Sequence, residues 1–360
     1  MSYYHSSYGP PKRRNKSLRN AMWLFFIIIL LIGGGLGYFA YGVIYKPNVW
    51  TLDGEDVEIR IPTDAGFDDV KQILYKKGLI VHRKNFEWVA GIKNYASLVK
   101  PGNYSISNGL SNNELINMLR SGNQTPIKLI FNNVTDVADL ASRVSRQIEA
   151  DSTKIVEYAY SREFSEISGL DSLHITNVFI PNTYEFYWNT TAKGFVLRMF
   201  EEYEKFWNGR RTELAAEVGL SVNEVIVLAS IVEKETQKNS EKATIAGVYM
   251  NRLHRKWLLQ ADPTLLFALN DKSIRRVLNV HKTIDSPYNT YKYLGLPPGP
   301  ICMPSISSID AVLNYEKTDY LFFCAKDDLS GYHAFAKSIK QHNRNAKKYQ
   351  QALNKLKIYK

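Results

Sequence analysis

Hydrophobic and polar positions follow three different rhythms along this chain. From Asn20 to Tyr45 no residue is charged, and Trp23 to Ile32 is an unbroken apolar run. About 25 residues at ~1.5 Å each reach roughly 38 Å, which spans a ~30 Å hydrocarbon core with tilt. A single transmembrane helix is therefore predicted over residues 21–45. Glycines 33, 34, 35 and 37 do not disqualify it, and Trp23, Tyr38, Tyr41 and Tyr45 suit the two interfaces. A cleaved signal peptide would have a shorter apolar stretch and a small-x-small cleavage site, and no such site follows here.

After Lys46 the pattern alternates between periods of two and 3.6, predicting an α+β architecture in two parts. In residues 46–125, Val57–Ile61 alternates as a half-buried strand, and Phe67–Lys77 reads as a helix closed by Gly78. Phe86–Ile92 is a second helix, and Lys100–Tyr104 turns into a second strand. Ser111 and Glu114 form a capping box whose helix stops at Gly122. Residues 126–345 form the larger part. It opens on a strand at 126–131, with helices over 134–148, 153–160 and 195–207. Residues 285–304, rich in Pro, Gly, Asn and Tyr, read as a structured loop. Residues 320–325 and 332–336 suggest a strand hairpin, followed by a terminal helix from Ser338 to Leu356.

The third rhythm lies between these. Ser221 and Glu224 form a capping box, and no charge appears from Val225 to Val232. A helix apolar on all sides is buried. It ends in Glu233-Lys234-Glu235, and a carboxyl group emerging from such a helix is desolvated, which raises its pKa and suits it to general-acid work. Spacing does not choose between the two: Glu233 continues the row of Ile226, Ala229 and Ser230, and Glu235 that of Leu228, Ile231 and Val232. A helix end whose acids simply reach solvent has the same pattern.

Net charge sharpens the address. The chain carries +11, but residues 1–20 hold five basic residues and no acid, and residues 337–360 hold eight and no acid. The body between them is nearly neutral, which argues against a nucleic-acid partner. The basic tail of residues 1–20 predicts a cytoplasmic N-terminus, with residues 46–360 on the outer side of the plasma (inner) membrane. The basic tail of residues 346–360 fits a solvated helix or contact with anionic headgroups or wall polymers. Cys302 and Cys324 set no disulfide framework, and no ligand spacing reads as a metal site.

The segment Leu228–Thr236 resembles the catalytic motif of the MltG (YceG-like) family of membrane-anchored endolytic murein transglycosylases. Further matches follow in the family's order: Val248–Leu253, Leu259–Thr264, Ser286–Tyr291, Gly295–Ile301, His333–Phe335 and His342-Asn343, with Phe179–Phe186 upstream. Asn182 stands where the family often has Asp, and Ala261 where Thr is common. The resemblance places the catalytic glutamate at Glu233. It suggests Gln260, Asp262, Asn289, Tyr291, Tyr184 and His333 as substrate-binding residues, and no cofactor. It also implies a LysM-like subdomain over residues 46–125, in which Tyr104 and Trp88 are either sugar platforms or ordinary core aromatics.

The implied reaction breaks the bond between N-acetylmuramic acid and N-acetylglucosamine in nascent peptidoglycan. It leaves 1,6-anhydromuramyl ends and limits strand length. Glycan strands, the lipid bilayer and peptidoglycan synthases are the implied partners. A catalytically silent wall-binding anchor and a hydrolase that uses water are the alternatives.

Overall fold

The structure is a computed structural model, which describes residues 16–356 except Lys272, Arg275 and Arg276. Of the expected tails over 1–20 and 346–360, residues 1–15 and 357–360 lie outside the described residues. The chain divides into two compact units, residues 1–125 and 126–360.

In the first unit α1 runs from Lys16 to Tyr45. Its apolar side chains are exposed on every side, Leu24 by 62%, Phe25 by 66% and Leu31 by 67%. It is the one helix among the described residues long and apolar enough to cross a membrane by itself. Among the described residues its last turns meet protein: Val43 is buried, and its carbonyl accepts from Asn112 Nδ2 at 2.8 Å. The order continues with β1 (Val57–Ile61), α2 (Phe67–Lys76), α3 (Arg83–Ile92), β2 (Gly102–Ile106) and α4 (Asn112–Ser121). β1 and β2 pair antiparallel, Ile59 opposite Tyr104, and cover a core of Val70, Leu74, Phe86, Tyr95 and Leu115. α4 has the expected capping box and stops at Gly122, which adopts φ +74°. Tyr104 is an ordinary core aromatic: it is fully buried, and its hydroxyl donates to the Lys100 carbonyl. Trp88 remains 47% exposed.

The second unit begins with β3 (Ile127–Phe131), α5 (Val137–Val144), α6 (Ser152–Ala159), α7 (Arg162–Ser168), β4 (Asn182–Phe186) and α8 (Ala192–Phe206). The helix expected over 134–148 is shorter. Asp136 caps it by accepting from Asp139 N, and beyond its end Gln147 bonds both backbone groups of Ile130 instead. The Phe179–Phe186 motif supplies β4, which pairs antiparallel with β3, Leu129 opposite Tyr184.

Next come α9 (Arg210–Glu217), α10 (Val222–Glu235), α11 (Asn239–His254), α12 (Asp262–Leu269), α13 (Ile306–Leu313), β5 (Phe322–Ala325), β6 (His333–Ala336) and α14 (Ile339–Lys355). α14 is continuous across the expected tail boundary at residue 345. α10 lies at the centre of this half, with every residue from Val225 to Val232 buried. The segment Pro297–Pro304 runs along it, pinned where Ile301 N donates to Ser230 Oγ at 3.0 Å. α11 crowds the chain after α13 so closely that a Cβ on Gly247 would strike the Glu316 carbonyl.

Candidate active site

α10 ends with its two carboxylates in separate surroundings. Glu233 faces α11 and the N-terminus of α13. Its Oε2 accepts from Ser305 Oγ and Ser308 Oγ, both at 2.5 Å, and from Ser305 N at 3.3 Å. Lys242 Nζ, with its side chain 4% exposed, completes the set at 3.0 Å and also donates to Ser305 and Ser307. Burial alone pushes Glu233 upward, but the serine hydrogen bonds and the Lys242 bond and charge outweigh it, so its pKa is lowered. This corrects the expectation that leaving a buried helix would keep Glu233 protonated. Its proton is displaced by donors that local pattern does not reveal.

Glu235 has the property expected of Glu233. Burial raises its pKa, the Tyr249 hydrogen bond and the Arg252 charge lower it, and the Asp262 charge raises it, leaving a value of about 7. Tyr249 Oη on α11 lies 2.5 Å from Glu235 Oε1. Arg252, one turn further along the same face of α11, is itself buried. Its guanidinium is held by the carbonyls of Leu321 and Leu259 at 2.8 and 2.5 Å.

Asp262 opens α12, with Pro263 in the first turn, where proline fits a helix. Its carboxylate accepts from Tyr291 Oη at 2.5 Å. Gln260 precedes it with φ +49°, an uncommon conformation for a residue other than glycine. A buried knot fixes this corner: Gln260 N donates to Thr290 O, Ala261 N to Thr290 Oγ1, and the Thr264 and Thr290 hydroxyls meet at 2.9 Å. Glu235, Asp262, Tyr291 and Gln260 are thus brought to one region.

Three expected substrate contacts are otherwise engaged. Asn289 is fully buried and donates to the carbonyls of Lys282 and Ile284, while its own carbonyl accepts from Tyr291 N. It shapes the loop that presents Tyr291. Tyr184 stacks on Phe131 at 5.7 Å and donates to the Ile180 carbonyl at 2.6 Å, inside the β3–β4 core. His333 pairs with Glu241, which accepts from its backbone N at 2.7 Å and contacts Nδ1 at 2.9 Å. That contact ties β6 to the start of α11.

Sequence reasoning missed Tyr249, Arg252, Lys242, Ser305 and Ser308 as partners of the two acids. Tyr249 and Arg252 lie in the Val248–Leu253 motif at helical spacing, a usable signal. Ser305 and Ser308 meet Glu233 across 72 and 75 residues, beyond the reach of local pattern.

The YceG-like family model matches residues 59–348. An endolytic murein transglycosylase of Bacillus subtilis is 29% identical over 336 residues, covering 89% of this chain and 91% of that protein. One from Streptococcus pneumoniae is 28% identical over 354 residues, and the match spans 89% of this chain and 63% of that longer protein. Among solved structures, a yceG-like protein of Listeria monocytogenes aligns with a TM-score of 0.55 at 28% identity, covering 81% of this chain and 98% of its own.

Proposed function

This chain belongs to the YceG-like family, and from that premise we propose that it is a membrane-anchored endolytic transglycosylase of peptidoglycan, with Glu235 as its acid. The observation that carries the reading is the placement of Glu235, which accepts from the buried Tyr249 hydroxyl and faces the Asp262–Tyr291 pair, where burial pushes its pKa up to about 7. Such a group holds a proton at neutral pH and can release it, as a general acid must. Glu233, the residue favoured by motif resemblance, is held as a carboxylate by four donors, which suits it to fixing the end of α10.

Glu235 would protonate the oxygen between N-acetylmuramic acid and N-acetylglucosamine as that bond breaks. Its carboxylate would then take the proton from the muramic C6 hydroxyl, which attacks the anomeric carbon of its own sugar. The nucleophile is already in the substrate, so the enzyme gains from proximity and spends binding on ring geometry. Asp262 supplies negative charge beside the oxocarbenium-like state, and Gln260 and Tyr291 orient sugar substituents.

α1 supplies the anchor. The basic residues before it favour a cytoplasmic N-terminus, which puts the catalytic unit on the outer side of the membrane, where nascent strands are. Cutting strands there would limit their length. Contact with peptidoglycan synthases and a glycan-binding, LysM-like role for the first unit are further expectations from family resemblance.

Mass spectrometry of uncrosslinked glycan strands digested with the full chain in detergent tests this reading, with Glu235→Gln and Glu233→Gln alongside. Anhydromuramyl ends from the wild type and Glu233→Gln, but not from Glu235→Gln, are expected. Reducing ends would indicate a hydrolase using water. Activity lost only in a folded Glu233→Gln would return the acid to Glu233.

A further inference from the structure

Among the described residues, only one of the two Glu235 oxygens has a hydrogen-bond partner. Tyr249 is 1% exposed, and Glu235 Oε1, 2.5 Å away, is the only hydrogen-bond partner its hydroxyl has among the described residues. A buried hydroxyl hydrogen requires an acceptor. The phenol therefore donates to Oε1, and the acid's proton has one place left, on Oε2. Resting on the assignment of Glu235 as the acid, we propose that Tyr249 is a positioning residue which commits Oε1 and leaves Oε2 to carry the proton to the glycosidic oxygen.

The phenol is well placed to hold that geometry. Its ring belongs to the core around α10 and meets Phe323 edge-on at 6.0 Å, so the hydroxyl cannot swing away without disturbing packing. The other groups that face Glu235 are Arg252 from α11, Asp262 from α12 and Tyr291 from the following loop. Arg252 is tied to two backbone carbonyls and Tyr291 is spent on Asp262, so Tyr249 is the neighbour that touches the carboxyl group. A hydroxyl donor favours the charged form of a carboxylate. Removing it leaves Glu235 protonated to higher pH but free to rotate.

Tyr249→Phe separates orientation from packing, because phenylalanine keeps the ring. With the full chain in detergent, kcat for anhydromuramyl ends should fall about tenfold with KM unchanged, and the alkaline limb of the pH profile should rise by about one unit. The ¹³C carboxyl titration of Glu235, read without substrate, should move the same way. A purely structural role would lower Tm and leave the limb and the titration in place, and that result overturns the proposal. The control is Glu235→Gln. If it still cuts, the acid assignment fails. If it is dead while Tyr249→Phe titrates like the wild type, only the role of Tyr249 fails.

Discussion

At the end of α10, Glu233 and Glu235 meet opposite surroundings. Glu233 turns into a junction of α11 and α13 lined with donors, and is charged there. Glu235 turns toward Tyr249 and a second carboxylate, Asp262, and keeps its proton to about pH 7. Burial pushes both pKa values up, but Glu233 offsets it with four donors brought by other elements, whereas Glu235 is more deeply desolvated and has a single hydroxyl donor, Tyr249. Ionisation state is thus a property of the tertiary neighbourhood, and a motif that contains two glutamates does not by itself say which one is the acid.

The largest expected effect comes from removing the proton at Glu235. Glu235→Gln should lower turnover by about 10³-fold, within the usual range for a general acid. Wild-type turnover should fall as pH rises through about 7, where the acid loses its proton. Stability should fall as well, over a lower window. A folded pKa above the unfolded value of about 4.5 means that the unfolded chain releases its proton first, so stability is lost as pH rises from about 4.5 to 7. Glu235→Gln removes that loss and should be more stable than the wild type by about 3 kcal/mol at pH 8 in urea unfolding. An inactive variant that is also less stable at pH 8 would break the comparison at its first step.

Glu233→Gln should reverse both readouts. It leaves the Lys242 ammonium buried without its counter-charge, which costs about 3–5 kcal/mol, while the folded fraction keeps much of its activity. Because the folded pKa of Glu233 is depressed, its stabilisation is present above about 4.5 and is lost as pH falls through the folded value. The stability gap between wild type and Glu233→Gln should therefore narrow below about pH 4.5. Replacing Lys242 by Met in the Glu233→Gln background should recover part of the loss, since no unpaired charge then remains. A gap that stays constant with pH would show that Glu233 is not ionised in the fold.

The contrast also marks what could be read from sequence. α10 was legible because its capping box and uncharged run are local, and so were α4 and the β5–β6 hairpin. The membrane-length helix was legible because length and hydropathy alone define it. The β3–β4 pairing was not, because the strands are some 50 residues apart and β4 lies in a motif valued for its chemistry. At the site, the corner of Gln260, Asp262 and Tyr291 followed from motif order. The ionisation of Glu233 did not, because the serines that hold it as a carboxylate come from the start of α13, more than 70 residues later. Asn289 and Tyr184 were polar and in the motifs, yet their polar atoms are used by their own backbone surroundings.

The smallest effect tests that last distinction. Tyr184 donates to the Ile180 carbonyl and stacks on Phe131, in a core separate from the one around α10. Tyr184→Phe keeps the stack and loses one hydrogen bond, so stability should fall by about 1 kcal/mol in urea unfolding. Product formation per folded molecule should stay within a factor of two or so, as a hydroxyl spent on backbone has no donor left for a sugar. A rise in KM of tenfold or more, with stability unchanged, would return Tyr184 to the substrate. It would also show that the sugar-binding surface extends beyond the corner of Asp262 and Tyr291 to the β3–β4 pair.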